Sequence, residues 1–265
     1  MKRSSCSRSR VRQYRFAAAL LALVLIGGDK AQGAEIHIIP VFGSSITGSD
    51  ATYNSTLSLT NLTGVPGTIR VIRVLPLLVA PCVQECNPPF QTSLAPYGQS
   101  DGEGELLTAG EGVYLRLGAI VFESDTAMEV DSYAVAGLSP ERSYAQLVPS
   151  APGWIPGGRW SIIHRALRGE GESFNLFLVN PNATPMRFDY RIPGISAAGF
   201  VVVAAGATGM VTLDPSFYCP RGCGTIMPPF GSGLPIEVFA VGDYMAAVSN
   251  RSPSLPGIVR IASSE

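Results

Sequence analysis

The chain has 265 residues, 46% hydrophobic and 15% charged, with 29 Gly and 21 Pro and a formal net charge of −1. That density of turn formers beside ordinary apolar content suits a turn-rich all-β globule and excludes a disordered or fibrous chain. The near-neutral total conceals an uneven distribution, which bears on compartment and on partners.

Lys2, Arg3, Arg8, Arg10, Arg12 and Arg15 form a basic N-terminal segment. Phe16–Ile26 (FAAALLALVLI) is an uncharged apolar run, and Ala31-Gln32-Gly33 offers small residues at a cleavage site. This order is that of a secretory signal peptide. The 11-residue apolar run is short of the roughly 20 residues that cross a bilayer, so cleavage after Gly33 is expected over a retained anchor. Cys6 precedes the apolar run, on the wrong side for a lipoprotein, and no twin-arginine pair is present. The expected location is periplasmic or extracellular. Loss of residues 1–33 removes both lysines and leaves 12 Arg against 19 Asp and Glu, a net charge of −7. A lysine-free acidic chain is a poor nucleic-acid binder, because that affinity comes from cationic contacts to phosphate. No later stretch is long and apolar enough to be a transmembrane segment.

Beyond residue 33 the chain alternates short apolar runs with turn residues. The expected strands are Glu35–Val41, Thr56–Thr60, Thr68–Leu75, Val113–Val121 and Ala127–Ala136, followed by Phe174–Val179, Met186–Ile192, Phe200–Ala204, Met210–Leu213, Ile236–Val241 and Tyr244–Ser249. Alternation is clean in TLSLT and imperfect in TIRVIRVL. Many short strands at this spacing indicate sandwiches or barrels. An internal repeat is visible as well: Leu57-x-Leu59-x-Asn61 followed by Pro66 recurs as Leu176-x-Leu178-x-Asn180 followed by Pro185. Asp125 to Val130 likewise recurs as Asp243 to Val248, and Ile38-Ile39-Pro40 is echoed by Leu147-Val148-Pro149. The spacing puts a boundary near Leu138–Tyr144, giving domains 34–140 and 141–265 after a signal peptide over 1–33.

The hydrophobic-Pro start, Leu-x-Leu-x-Asn, the Pro-containing turn and a later Ala-Gly turn (Ala109-Gly110 and Ala205-Gly206) resemble repeated immunoglobulin-like β-sandwich modules of secreted bacterial proteins. The resemblance implies two tandem antiparallel sandwiches and secretion. It supplies no catalytic or cofactor residues.

The exported chain keeps four cysteines, Cys82-x3-Cys86 and Cys219-x3-Cys223, each pair followed by Pro-Pro-Phe. Outside the cytoplasm such pairs oxidise, and three connectivities exist. Two local bridges, Cys82–Cys86 and Cys219–Cys223, are favoured over one four-thiolate zinc site. Asp101-Gly-Glu103-Gly-Glu105 spaces carboxylates as a Ca²⁺ loop does, without the glycine and closing glutamate register of an EF-hand. A solvated hairpin tip is the preferred reading.

His37 reads as a strand residue and His164 as part of a charged hairpin edge. The G-x-S-x-G, H-E-x-x-H, P-loop and G-x-G-x-x-G motifs are absent. Glu123, Asp125, Glu129 and Asp131 alternate along strands without singling out a glycosidase pair. Trp154 and Trp160 lie in a glycine-rich stretch that suits either a sugar or peptide platform or the capping of a sandwich end. The sequons at Asn54, Asn61, Asn182 and Asn250 read as turn chemistry. The expectation is a non-catalytic secreted or cell-envelope protein with a structural, adhesive or protein-binding role and no cofactor. A Ca²⁺- or carbohydrate-binding module is the alternative, and a periplasmic pilus-type chaperone, which needs a basic cleft, a second. Glu35–Val41 and Gly257–Ala262 are the expected exposed edges for capture of a partner strand.

Overall fold

A computed structural model describes residues 34–43, 45–47, 51–77, 90–103, 118–137, 143–167, 174–193, 197–213, 234–250 and 259–263. All four cysteines, Glu105, Ala109-Gly110, residues 1–33 and the stretch 138–142 lie outside them. Every regular element described is a strand, as the alternating runs require. In chain order these are β1 (Glu35–Phe42), β2 (Ser45–Thr47), β3 (Ala51–Asn61), β4 (Gly67–Pro76), β5 (Gln91–Leu94), β6 (Gln99–Glu103), β7 (Gly118–Ser124), β8 (Met128–Gly137) and β9 (Ser143–Pro149). They continue with β10 (Trp160–Leu167), β11 (Phe174–Asn180), β12 (Met186–Ile192), β13 (Ala197–Val203), β14 (Ala207–Leu213), β15 (Leu234–Ala240), β16 (Met245–Asn250) and β17 (Arg260–Ile261).

Four antiparallel sheets result. The first group has β1-β7-β4-β5 facing β2-β3-β8-β9, with β6 also on β3; the second has β10-β15-β12-β13 facing β14-β11-β16-β17. Apart from the three-residue β2, which has no counterpart, substituting β10 for β1, β11 for β3, β12 for β4, β13 for β5, β14 for β6, β15 for β7, β16 for β8 and β17 for β9 turns one strand order into the other. The two Leu-x-Leu-x-Asn strands thus hold corresponding places. Their asparagines are wired alike. Asn61 Nδ2 donates to Val65 O at 2.7 Å and to Ala95 O at 3.1 Å, and Asn180 Nδ2 donates to Thr184 O and Ala204 O, both at 2.9 Å. Each Oδ1 accepts an amide two residues on, from Thr63 or Asn182. Both asparagines are buried, which makes Asn61 a turn residue rather than a glycan acceptor.

The echo of Ile38–Pro40 in Leu147–Pro149 is not a positional equivalence. Leu147–Pro149 ends β9, which pairs with β8, and the counterpart of β1 is β10. A short apolar-Pro string reports burial and cannot specify which strand it pairs with. Through Pro149 the chain thus pairs with the sheet that holds β8, and Ala34–Glu265 forms one compact unit.

Ile39, Phe42, Ile69, Ile120 and Phe122 meet Leu57, Leu59, Val130 and Val148 in one core. Ile163, Phe188, Ile236 and Val238 meet Leu176, Leu178, Ala246 and Val248 in another. The opposite faces of the two inner sheets close on each other: Ile38, Leu75, Ala119 and Val121 cluster with the second core, and Phe177 and Ala247 with the first. The sheets thus form four layers, and the central strands of the inner two, β7 and β11, are buried on both faces. That accounts for the unbroken burial of β11 and the nearly unbroken burial of β7, where an antiparallel sheet with one wet face would alternate.

The expected edge segments are bridged at single points, and Gly257 and Ile258 lie outside the described residues. Ile38 and Ala151 exchange both backbone hydrogen bonds along β1, and Val259 is buried with its N–H donated to Leu147 O at 2.8 Å. Each closing strand runs on to bridge the first strand of its group, Ala151 on Ile38 and Ser263 on Ile162. This hides unpaired backbone that would otherwise template another chain.

A candidate binding face

The outer face of β10-β15-β12-β13 collects the side chains with most chemical character. β12 alternates strictly: Met186, Phe188, Tyr190 and Ile192 are buried, while Arg187, Asp189 and Arg191 point outward. β15 buries Leu234, Ile236, Val238 and Ala240 and turns Glu237 and Phe239 out. Cross-strand register then aligns Trp160, Phe239, Asp189 and Phe200 in one row, and Ile162, Glu237, Arg191 and Ala198 in the next. Phe200 and Val202 are each 60% exposed, and Trp160 38%. Trp160 and Phe239 meet with ring centroids 5.5 Å apart and their planes tilted by 42°. The Arg191 guanidinium lies 4.2 Å over the Trp160 ring and bonds Glu237 Oε2 through Nε. Arg187 lies 4.2 Å over Phe200, with Nε and Nη2 both on Asp189 Oδ1. The face is therefore broad, aromatic and electrically balanced, and it holds its arginines in place. Exposed ion pairs of this kind add little stability, of order 0–1 kcal/mol each, but they orient the guanidinium groups.

Trp160 opens β10 rather than ending a loop, and Trp154 packs against the second core, so the two tryptophans do not share a platform. His164, also on β10, is exposed. The carboxylates proposed as a Ca²⁺ loop fall elsewhere: Asp101 and Glu103 lie in β6, opposite Ser58 and Thr56 of β3. Asp131 of β8 is also opposite Ser58. Burial, reinforced by Glu129, pushes the Asp131 carboxyl above its usual range against the Ser150 amide, which lowers it. Among the described residues no three His, Cys, Asp or Glu side chains are grouped to hold a metal.

His37 is buried, with Nε2 3.0 Å from Ser124 Oγ. Ser124 Oγ in turn donates to Thr126 O at 2.8 Å. The serine proton is thereby committed, so His37 Nε2–H donates to Ser124. A serine nucleophile activated by histidine needs the reverse polarity. Burial lowers the pKa of His37, while the charge of Glu35 opposes that shift.

Sequence reading singled out Trp160 but not Phe200, Val202, Phe239, Arg187 or Arg191. The available signal was β-branched and aromatic density in GFVVV next to an alternating RFDYR; what was missing was which side faces solvent. No family model, no curated protein and no solved structure matches the chain.

Proposed function

We propose that this is a non-catalytic protein, exported after removal of residues 1–33, built from two fused immunoglobulin-like sandwiches and acting by binding protein at the cell envelope or outside the cell. The repeated strand order supports the duplicated architecture. Tyr244 adds a further mark. It stands just before β16, with its buried hydroxyl 2.9 Å from Val238 O, six residues upstream, and 2.7 Å from Ser161 Oγ. A tyrosine tied back across the corner into this strand is a hallmark of immunoglobulin-like sandwiches. Export is supported by the signal-like N-terminus: a basic segment, an 11-residue apolar run and small residues before Ala34.

The observation that carries the binding role is the Trp160–Phe239–Asp189–Phe200 row with its two stacked arginines. Trp, Phe and Arg are the residues enriched at the centres of protein interfaces, where they supply large contact area and oriented donors. The absence of lysine from the exported chain weighs against a pilus-type chaperone, whose cleft must hold a carboxylate. The test is capture of envelope proteins on immobilised full-length exported chain, beside Trp160→Ala and Arg191→Ala variants. A partner captured by the parent should be lost at least about tenfold from either variant, the effect of a hot-spot residue. Capture unaffected by both substitutions, or binding transferred to a glycan array, would remove this face as the protein-binding site.

A further inference from the structure

We propose that β13 is a strand-pairing edge whose occupant is β13 of a second copy of this chain, antiparallel about a twofold axis through Phe200. An unpaired strand edge offers a row of free N–H and C=O groups, and proteins blunt such edges with charge, proline, short length or cover. The duplicated topology supplies an internal comparison. The sheets β1-β7-β4-β5 and β10-β15-β12-β13 have four lateral edges. Ala151 covers β1 and Ser263 covers β10, each through a pair of backbone hydrogen bonds. The counterpart of β13 in the first group, β5, is four residues long and polar (QTSL). β13 departs from this pattern. It is seven residues long, reads AAGFVVV, carries no charge and no proline, and exposes Ala198, Phe200 and Val202 in alternation. Its ladder to β12 runs unbroken from Ile192↔Ala197 to Met186↔Val203, and among the described residues no backbone outside β12 pairs with it. Tyr190 lies over Gly199, its register partner, where an added Cβ would sit 2.5 Å from its hydroxyl, so glycine leaves room for the ring.

Pairing with a second copy suits this strand. A twofold at Phe200 sets the two Phe200 rings opposite each other and each Ala198 opposite the other copy's Val202, so a small residue meets a larger one throughout. Directly opposed aromatic pairs stabilise antiparallel strands. No like charges meet. The nearest acidic residue in the row, Asp189, stands one strand in from Phe200, so the two copies' Asp189 Cα atoms are three strand spacings apart, about 14 Å. That exceeds the Debye length of about 8 Å at physiological ionic strength, and each carboxylate is already bonded by Arg187. The two four-stranded sheets would then run on as one, with the aromatic-arginine face doubled across it. An isologous contact of this kind closes as a dimer.

The full exported chain tests this by sedimentation velocity over a concentration series, with a Val202→Lys variant beside it. The parent should dimerise reversibly, and Val202→Lys should weaken the dimer at least about tenfold while leaving the far-ultraviolet circular dichroism unchanged, since Val202 is exposed. An Ala198→Cys/Val202→Cys variant, oxidised and peptide-mapped, should link position 198 of one copy to position 202 of the other. Four outcomes overturn the proposal: a parent monomeric throughout, a dimer indifferent to Val202→Lys, a cross-link joining 198 to 198, or a β13 edge that pairs only with a strand of another protein. Trp160 and Arg191 lie on other strands, so loss of partner capture with the dimer intact, or the reverse, separates this inference from the proposed function.

Discussion

At the residue scale, burial makes His37 a reporter of pH. Its pKa in the fold lies below the ordinary 6.5, because the buried ring resists a charge by more than the nearby charge of Glu35 favours it. In the unfolded chain the ring titrates normally. Below pH 6.5 the unfolded chain binds a proton that the native protein does not, so stability should fall as pH drops from about 6.5 toward the native pKa and be flat in this group above it. Denaturant midpoints at pH 7.5 and 5.5, for the parent and for His37→Gln, isolate the effect. The parent should lose more stability between the two pH values than the variant, with the carboxylate contributions cancelling in the comparison. An equal loss in both would show that His37 does not titrate in this way. His37 was legible in the sequence as a strand residue. Its bond to Ser124, 87 positions away, was not, because nothing local encodes a cross-strand partner. Asn61 and Asn180 are the opposite case: their role was readable because an Asx turn is made by the next few residues.

At the element scale, β4 shows how one residue can scramble a pattern. TIRVIRVL alternates poorly because the register to β7 slips between Val71 and Arg73, leaving Ile72 as the extra residue, 40% exposed. A bulge resets which side faces inward, so Ile69 and Val74 reach one core although they stand an odd number of residues apart. Strands read from sequence often began or ended a few residues off, and β10 was read as loop and hairpin edge. Its Trp-Ser-Ile-Ile-His-Arg run is bracketed by glycine and charge, and only pairing with β15 makes it a strand. The contact between β14 and the first group turns on one hydroxyl. Thr208 Oγ1 donates to Leu75 O at 2.7 Å and accepts from Ala119 N at 3.2 Å, fully buried, next to a parallel bridge between Leu77 and Thr208. Thr208→Val keeps the shape and removes both of these buried hydrogen bonds, at a cost of about 1–3 kcal/mol. Chemical denaturation should show that loss, and Thr208→Ser should recover most of it.

At the scale of the whole molecule, the inner sheets bind the two groups into one body. Arg73 reaches across to Pro181 O at 2.6 Å, beside Gly206, whose φ of +61° makes the β13–β14 turn. Ser249 Oγ meets Gln146 Oε1 at 2.9 Å, and Val259 joins the first core. Separating the groups would expose Ile38, Leu75, Ala119 and Val121 on one side and Phe177 and Ala247 on the other. Each large aliphatic or aromatic side chain there contributes roughly 1.5–3 kcal/mol on burial. Residues 34–265 should therefore unfold in a single cooperative transition, with calorimetric and van't Hoff enthalpies in agreement. Two resolved transitions would mean that the groups behave as independent beads.

The all-β class and the paired Leu-x-Leu-x-Asn turns depend on neighbours in the chain, through side-chain period, run length and local hydrogen bonding, and the sequence alone determined those readings. Three features were left to tertiary structure: which strand closes each group, which sheets lie buried on both sides, and which of the outward rows stays wet. The physical reason is common to all three. A hydrophobic residue states that it will be buried, but the surface that covers it comes from residues distant in the chain, so Phe177 and Phe200, both set among apolar neighbours, end at 0% and 60% exposure.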